Sequence, residues 1–260
     1  MMNFRFLYIL TVLCLIARGL PAADLLAEES VEDELLADMA TEEGLIHDWQ
    51  SKISLGMQLT RGGSDTESIH FGIDISKETP LHFFILRAKS GYGKTKDSTS
   101  EDSSYALLKY KRLLSDNWFV SPAFTFYRNP LSAVTYRINP SLSVGKFILK
   151  NDTYRLYLEA GPSYVFERID KRDNNYFAPR IGQRFEWAIS ETFKVYEEVD
   201  LIAELSDFSN HILYFETGIE SSITSRLSFN VGLHMAYDSQ PAPNRDDRDI
   251  KIINSLDLSL

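Results

Sequence analysis

After Trp49 the chain alternates apolar and polar residues one by one. Ile53, Leu55, Met57 and Leu59 are interleaved with Ser54, Gly56 and Gln58. Ile69, Phe71, Ile73 and Ile75 alternate with His70, Gly72 and Asp74. The longest clean run sets Leu227, Phe229, Val231, Leu233, Met235 and Tyr237 against Ser228, Asn230, Gly232, His234 and Ala236. A period of two puts the apolar set on one face of a strand, whereas a helix would scatter it around a cylinder. About twelve such runs follow one another, most of them reaching the roughly 9–11 residues that a tilted membrane strand needs.

The connections sharpen the expectation. Tight turns are expected near Thr79-Pro80, Asp116-Asn117, Asn151-Asp152, Glu191 and Thr224-Ser225. Between them lie longer polar stretches at residues 94–103, 128–137, 167–175 and 238–249, with a short opening connection at 62–66 and an intermediate one at 205–210. Alternating short and long connections are how an antiparallel meander closes into an outer-membrane barrel, with short turns on the periplasmic side. The fold class expected is all-β: a single antiparallel up-and-down transmembrane β-barrel of about twelve strands, both termini periplasmic, over residues 49–260.

Trp49, Trp118 and Trp187 fall at the short-turn end of their strands, while Phe166, Phe177 and Tyr237 sit beside the long connections. Two such sets are expected to form aromatic girdles at the two membrane interfaces. The opposite face carries both signs of charge. Arg155, Glu159, Arg180, Arg184, Glu186, Glu198, Asp200, Glu204, Glu216 and Glu220, with Lys194 among them, are the expected lumen-lining residues. They read as a salt-bridged filling or as a constriction that selects solutes.

The first 48 residues have another texture. Arg5, the uncharged run FLYILTVLCLIA, then Arg18 and Leu20-Pro21-Ala22-Ala23 make the pattern of a cleaved export signal over residues 1–23. About 12 apolar residues are too few to span a bilayer, which takes about 20. Cys14, the only cysteine of the 260 residues, follows Leu13, where a lipoprotein signal needs a small residue. Residues 24–48 are acidic and free of Lys and Arg, a segment expected to be helical or disordered in the periplasm. That segment and the signal account for most of the formal net charge of −10, so the barrel region is nearly neutral. The charge balance excludes a nucleic-acid partner, which would require neutralising phosphates.

The five histidines, His47, His70, His82, His211 and His234, make no HExxH or other close metal-binding pair. Gly161-Pro162-Ser163 lies in a strand interior and not at a nucleophile elbow, and Gly91-Tyr92-Gly93-Lys94-Thr95 lacks the glycine spacing and helix of a phosphate loop. Glu197 and Glu198, adjacent on a strand, must face opposite ways. No catalytic residue, cofactor or metal is expected. The expected partners are outer-membrane lipids and the barrel-assembly machinery, with the protein a monomer. A second reading stays open, a secreted soluble barrel that holds an apolar ligand as lipocalins do.

Trp49 with Ser54-Leu55-Gly56, then Thr60-Arg61-Gly62-Gly63-Ser64-Asp65-Thr66, resembles the opening of the YdiY-like family of outer-membrane proteins associated with salt induction. Tyr237-Asp238-Ser239-Gln240-Pro241-Ala242-Pro243, with Asp249 beyond, resembles that family's last long loop. Glu159-Ala160-Gly161 and Leu205-Ser206-Asp207 are fainter matches, and the likeness runs from Trp49 to Leu260. It implies a single outer-membrane barrel of unassigned biochemical role, and it brings no catalytic residues. Gly63 stands where that family usually has Asn, Asn244 where it has Gly, and the last residue is Leu rather than an aromatic one.

Overall fold

The computed structural model describes residues 49–60, 66–95 and 98–260. The expected export signal, the acidic segment and the Arg61–Asp65 part of the opening motif lie outside the described residues.

Twelve strands run β1 (Gln50–Thr60), β2 (Thr66–Glu78), β3 (His82–Thr95), β4 (Ser98–Leu113), β5 (Trp118–Asn129), β6 (Val134–Lys150), β7 (Tyr154–Ile169), β8 (Arg172–Ser190), β9 (Phe193–Ala203), β10 (His211–Ser222), β11 (Leu227–Asp238) and β12 (Arg248–Ser259). Each pairs antiparallel with its sequence neighbours, and β12 pairs with β1 to close the barrel. The closing seam registers Lys52 with Ser259, Ile53 with Leu258, Ser54 with Asp257, Leu55 with Leu256 and Gly56 with Ser255. Closure removes the two free edges, whose backbone groups would otherwise lack partners.

Five tight turns share one rim, the turn rim, with the start of β1 and the end of β12. Side chains hold several of them: Asn151 Oδ1 accepts from Thr153 N (3.0 Å) and Tyr154 N (2.7 Å), and Thr224 Oγ1 accepts from Leu227 N (3.0 Å). The opposite, loop rim differs from expectation. Residues 94–103 and 167–175 are largely strand: β3 runs to Thr95, β4 starts at Ser98, and β7 and β8 are joined only by Asp170 and Lys171. Those two residues have φ of 48° and 65°, the left-handed pair that a two-residue hairpin turn requires. These segments are polar on both faces, so they look like loops in sequence, yet backbone ladders carry them as hairpin extensions. Residues 128–137 are likewise mostly strand, with β5 and β6 joined by a 3-10 turn at Pro130–Ser132. Among the described residues two connections are true loops, residues 204–210 and 239–247. Asn244, in the second, has φ 61°, the left-handed conformation that the glycine usual there would adopt.

The alternation resolves into two surfaces. Leu55, Phe71, Leu86, Leu108, Phe124, Leu142, Leu158, Ile181, Leu201, Ile219, Phe229 and Ile252 supply one exposed large apolar side chain from every strand in turn. The apolar surface is therefore a complete belt. A soluble protein rarely exposes an apolar patch beyond a few hundred Å². Glu197 faces outward, where Gln183 Nε2 donates to it at 2.9 Å, while Glu198 faces in.

Candidate functional site

The inward side chains form ion pairs at every level. Nearest the turn rim, Lys52 meets Glu220 (3.0 Å) and Asp257 (3.6 Å), Lys194 meets Glu220 (3.5 Å), and Arg155 reaches from β7 to Glu78 on β2 (3.2 Å). At mid-height Arg184 lies between Glu186 (2.7 Å) and Glu198 (2.5 Å), and Arg180 between Glu159 (2.8 Å) and Asp200 (2.6 Å). Lys109 also binds Glu159 (2.5 Å), and Lys89 and His234 share Glu216 (2.8 and 3.2 Å). Towards the loop rim, Glu101 takes His70 (3.4 Å) and Lys251 (3.0 Å), while Arg137 holds Glu167 and Asp238 (2.6 Å each).

Several of these contacts cross the barrel. β3 and β9 stand opposite each other in the ring, and Arg87 joins Asp74 beside it (3.1 Å) to Glu198 across from it (3.2 Å). Near the loop rim, Asn129 at the end of β5 donates to Asp249 on β12 (3.2 Å), and Arg137 on β6 reaches Asp238 on β11. Side chains from opposite walls therefore meet at hydrogen-bond distance, and the interior is constricted at more than one height.

Two inward apolar clusters narrow it further. Phe83, Leu113, Phe119, Phe147 and Tyr157 pack on the β3–β7 wall near the turn rim. Phe119 is fully buried, and a Cβ at Gly145 would fall 2.2 Å from its ring, so glycine on β6 makes the space for it. Val165, Tyr176, Ala178, Ile202 and Ile212 pack near the loop rim. The inward face is thus not purely polar, which corrects the expectation of one apolar and one polar strand face. What remains open is a cavity of about 890 Å³, lined from Lys52, Glu220 and Asp257 at one end to Arg137, Tyr214 and Asp249 at the other.

The loop 239–247 closes over the far end. Pro241 and the buried Ala242 share a small pocket with Tyr127, Val134 and Ile169 of the opposite wall. The loop is tied to its neighbour: Ser239 Oγ donates to Ser209 O (2.7 Å), and Gln240 Nε2 to Asp207 Oδ2 (3.2 Å). Hydrogen bonds from Ser209 and Gln240 hold the Asp207 carboxyl below its usual range.

Of the residues singled out in the sequence, Arg155, Arg180, Arg184, Glu186, Glu198, Asp200, Glu216 and Glu220 line the cavity. Glu159 lies deeper, with a side chain only 1% exposed, bound by Lys109 and Arg180. Glu204 is elsewhere. β9 ends at Ala203, and the Glu204 carboxylate accepts from Ser206 Oγ and from Asn210 Nδ2 (2.8 Å), fastening the loop 204–210. Trp49, Trp118 and Trp187 are exposed at the turn rim, with Lys77 over Trp49 (5.7 Å) and Lys146 over Trp118 (5.3 Å). Phe166 and Phe177 are exposed towards the loop rim, both against Tyr164 (4.6 and 4.7 Å), and Tyr237 lies beside His211 (5.7 Å). Arg87, Lys89, Lys109, Lys111, Arg137 and Lys251 escaped the sequence reading, although Lys109 and Lys111 alternate with Leu108 and Tyr110 and so carried the same signal. Among the described residues no group of three or more His, Cys, Asp or Glu side chains is placed to hold a metal ion.

An apolar exterior around a charged, cross-braced interior defines a closed twelve-stranded antiparallel β-barrel of inverted polarity. The chain belongs to the family described as "Protein of unknown function, DUF481", whose model matches residues 53–258. No curated protein sequence matches it. Similar solved structures include the NanC porin, at 11% identity and a TM-score of 0.46 over 82% of this chain and 98% of that one. Others are the translocator domain of the autotransporter NalP from Neisseria meningitidis (12%, 0.46, 88% and 96%) and the KdgM porin in complex with disordered oligogalacturonate (9%, 0.46, 80% and 99%).

Proposed function

We propose that this protein is an outer-membrane barrel that passes small solutes along a narrow, ion-paired lumen. The cavity carries the reading: its polar walls extend from the turn rim to the loop rim inside a barrel whose apolar belt faces outward. In lipid only such closure satisfies every backbone group. A soluble barrel for an apolar ligand needs the reverse polarity, so the lipocalin-like reading loses its ground. The turn rim and both ends of the chain are assigned to the periplasm, residues 1–23 to a cleaved export signal and residues 24–48 to a periplasmic segment. Lipids and the assembly machinery are the partners, and one chain closes the barrel.

The cross-lumen contacts favour a second reading, a structural barrel with no flux. Planar-bilayer recording separates the two. The channel reading expects a small, steady conductance, well under that of a wide general porin, because Arg87–Glu198 and Arg137–Asp238 bridge the interior. Replacing residues 240–246 by a short Gly-Ser link is expected to raise it by uncovering the loop-rim end. Absence of current from both proteins would leave only the structural reading. Recovery of the mature chain in the soluble periplasm would overturn both.

A further inference from the structure

Every lysine and arginine in the ion pairs described above has a carboxylate in contact. Lys111 does not. Its side chain points inward from β4 opposite Phe83 in register, is 4% exposed as a residue, and lines the cavity. Among the described residues it makes no ion pair; its ammonium rests instead on aromatic faces. The Tyr157 ring centroid is 3.3 Å away, Phe119 5.0 Å and Phe147 5.9 Å. Such faces offset part of the lost hydration, on the order of 2 kcal/mol when desolvated. A buried ammonium without a counter-charge remains costly. An anion that pairs with it would offset that cost, and the cavity is where one can enter.

The surroundings set the class of anion. Arg184, which registers with Tyr157 across β7 and β8, and Arg155, the next inward residue on β7, line the same part of the cavity. Both already hold carboxylates, Glu198 and Glu186 for Arg184 and Glu78 for Arg155. Among the described residues Lys111 is the buried cation of that wall without a carboxylate; Lys77, which also lines this end, is turned to the Trp49 ring (5.7 Å). Phe83, Phe147 and Tyr157 face the cavity beside it and offer an apolar wall. A fully hydrated inorganic anion gains nothing from that wall; an organic anion with a small apolar body does.

We propose that Lys111 is a binding subsite for a small organic carboxylate in the turn-rim half of the lumen. The carboxylate pairs with the ammonium, and the rest of the solute lies against Phe83 and Phe147. The subsite gives the solute path a substrate class and so rests on the channel reading above.

The test is calorimetric titration of the folded full-length barrel in detergent with sodium benzoate at fixed ionic strength, alongside bilayer recording of the same preparations. The wild type is expected to bind benzoate, and Lys111→Met to lose about tenfold or more in affinity, the worth of one charge-assisted contact. Methionine is unbranched, only one atom shorter than lysine, and suits the ring cluster, so the variant keeps its fold. Lys111→Arg should retain most of the binding. Unchanged binding in Lys111→Met, or equal competition by chloride, would overturn the subsite. A barrel that conducts but does not bind benzoate would overturn it while sparing the channel. A barrel that binds benzoate through Lys111 but never conducts would do the opposite.

Discussion

Deletion of residues 256–260 will leave a barrel that cannot close. Of the five registered pairs between β1 and β12, Lys52–Ser259, Ile53–Leu258, Ser54–Asp257 and Leu55–Leu256 disappear, and only Gly56–Ser255 stays. The bond from Leu260 N to Ser51 O (2.9 Å) goes with them, as does the buried Asp257 that faces Lys52. In water the stranded N–H and C=O groups would be hydrated, and a frayed terminal strand would be tolerable. In hydrocarbon each unsatisfied group costs several kcal/mol, and these losses fall together on one seam. The expected result is loss of heat-modifiable migration on gels and disappearance of the protein from the outer-membrane fraction. Normal insertion of the deleted chain would show that this seam does not set assembly.

That seam was legible in the residues, because Leu256 and Leu258 alternate with Ser255, Asp257 and Ser259 as cleanly as any strand here. Strands such as β2 and β11 could be read outright, since their two faces differ in polarity and a period of two then has one interpretation. The tight turns followed from Asn, Asp, Thr and Pro, whose side chains or rings close turns locally. The hairpin extensions at Thr95–Ser98 and Ile169–Arg172 could not be read. Above the apolar belt both faces of a strand meet water, so the pattern that distinguishes strand from loop vanishes.

The interior was harder for two further reasons. Alternation sorts residues into two faces, but inward-facing Phe119, Phe147 and Tyr157 are apolar on the polar face and blur the contrast. On β5 the run Trp118-Phe119-Val120 has no period at all. The second reason is non-locality. Arg87 and Glu198 are brought together only because β3 and β9 face each other after closure. Sequence could put each on an inner face without pairing them. Glu204 shows the converse error: it keeps the phase of Glu198 and Asp200, yet the strand has already ended at Ala203, and its carboxylate serves a loop.

Replacing Glu159 by leucine will destabilise the folded barrel more than removal of any other lumen carboxylate. Its Oε1 accepts from Lys109 Nζ (2.5 Å) and Arg180 Nη1 (2.8 Å) at once, and the three side chains are 1%, 4% and 5% exposed. Arg180 keeps Asp200 (2.6 Å) and Ser143 (3.2 Å) as partners after the change. Lys109 keeps no carboxylate, only the Tyr157 ring at 5.5 Å. Breaking a buried pair from one side leaves an uncompensated charge, at a cost of about 3–5 kcal/mol. A more exposed pair such as Arg155–Glu78, with side chains 37% and 41% exposed, should be worth far less, since solvent screens it. The measurement is the midpoint of urea unfolding in micelles for Glu159→Leu, Lys109→Met and the double variant. The double variant should be more stable than Glu159→Leu alone, because methionine removes the very ammonium that the leucine strands. Additive losses in that cycle would mean that Lys109 and Glu159 do not stabilise each other, and that the interior is held by the ladders rather than by its charges.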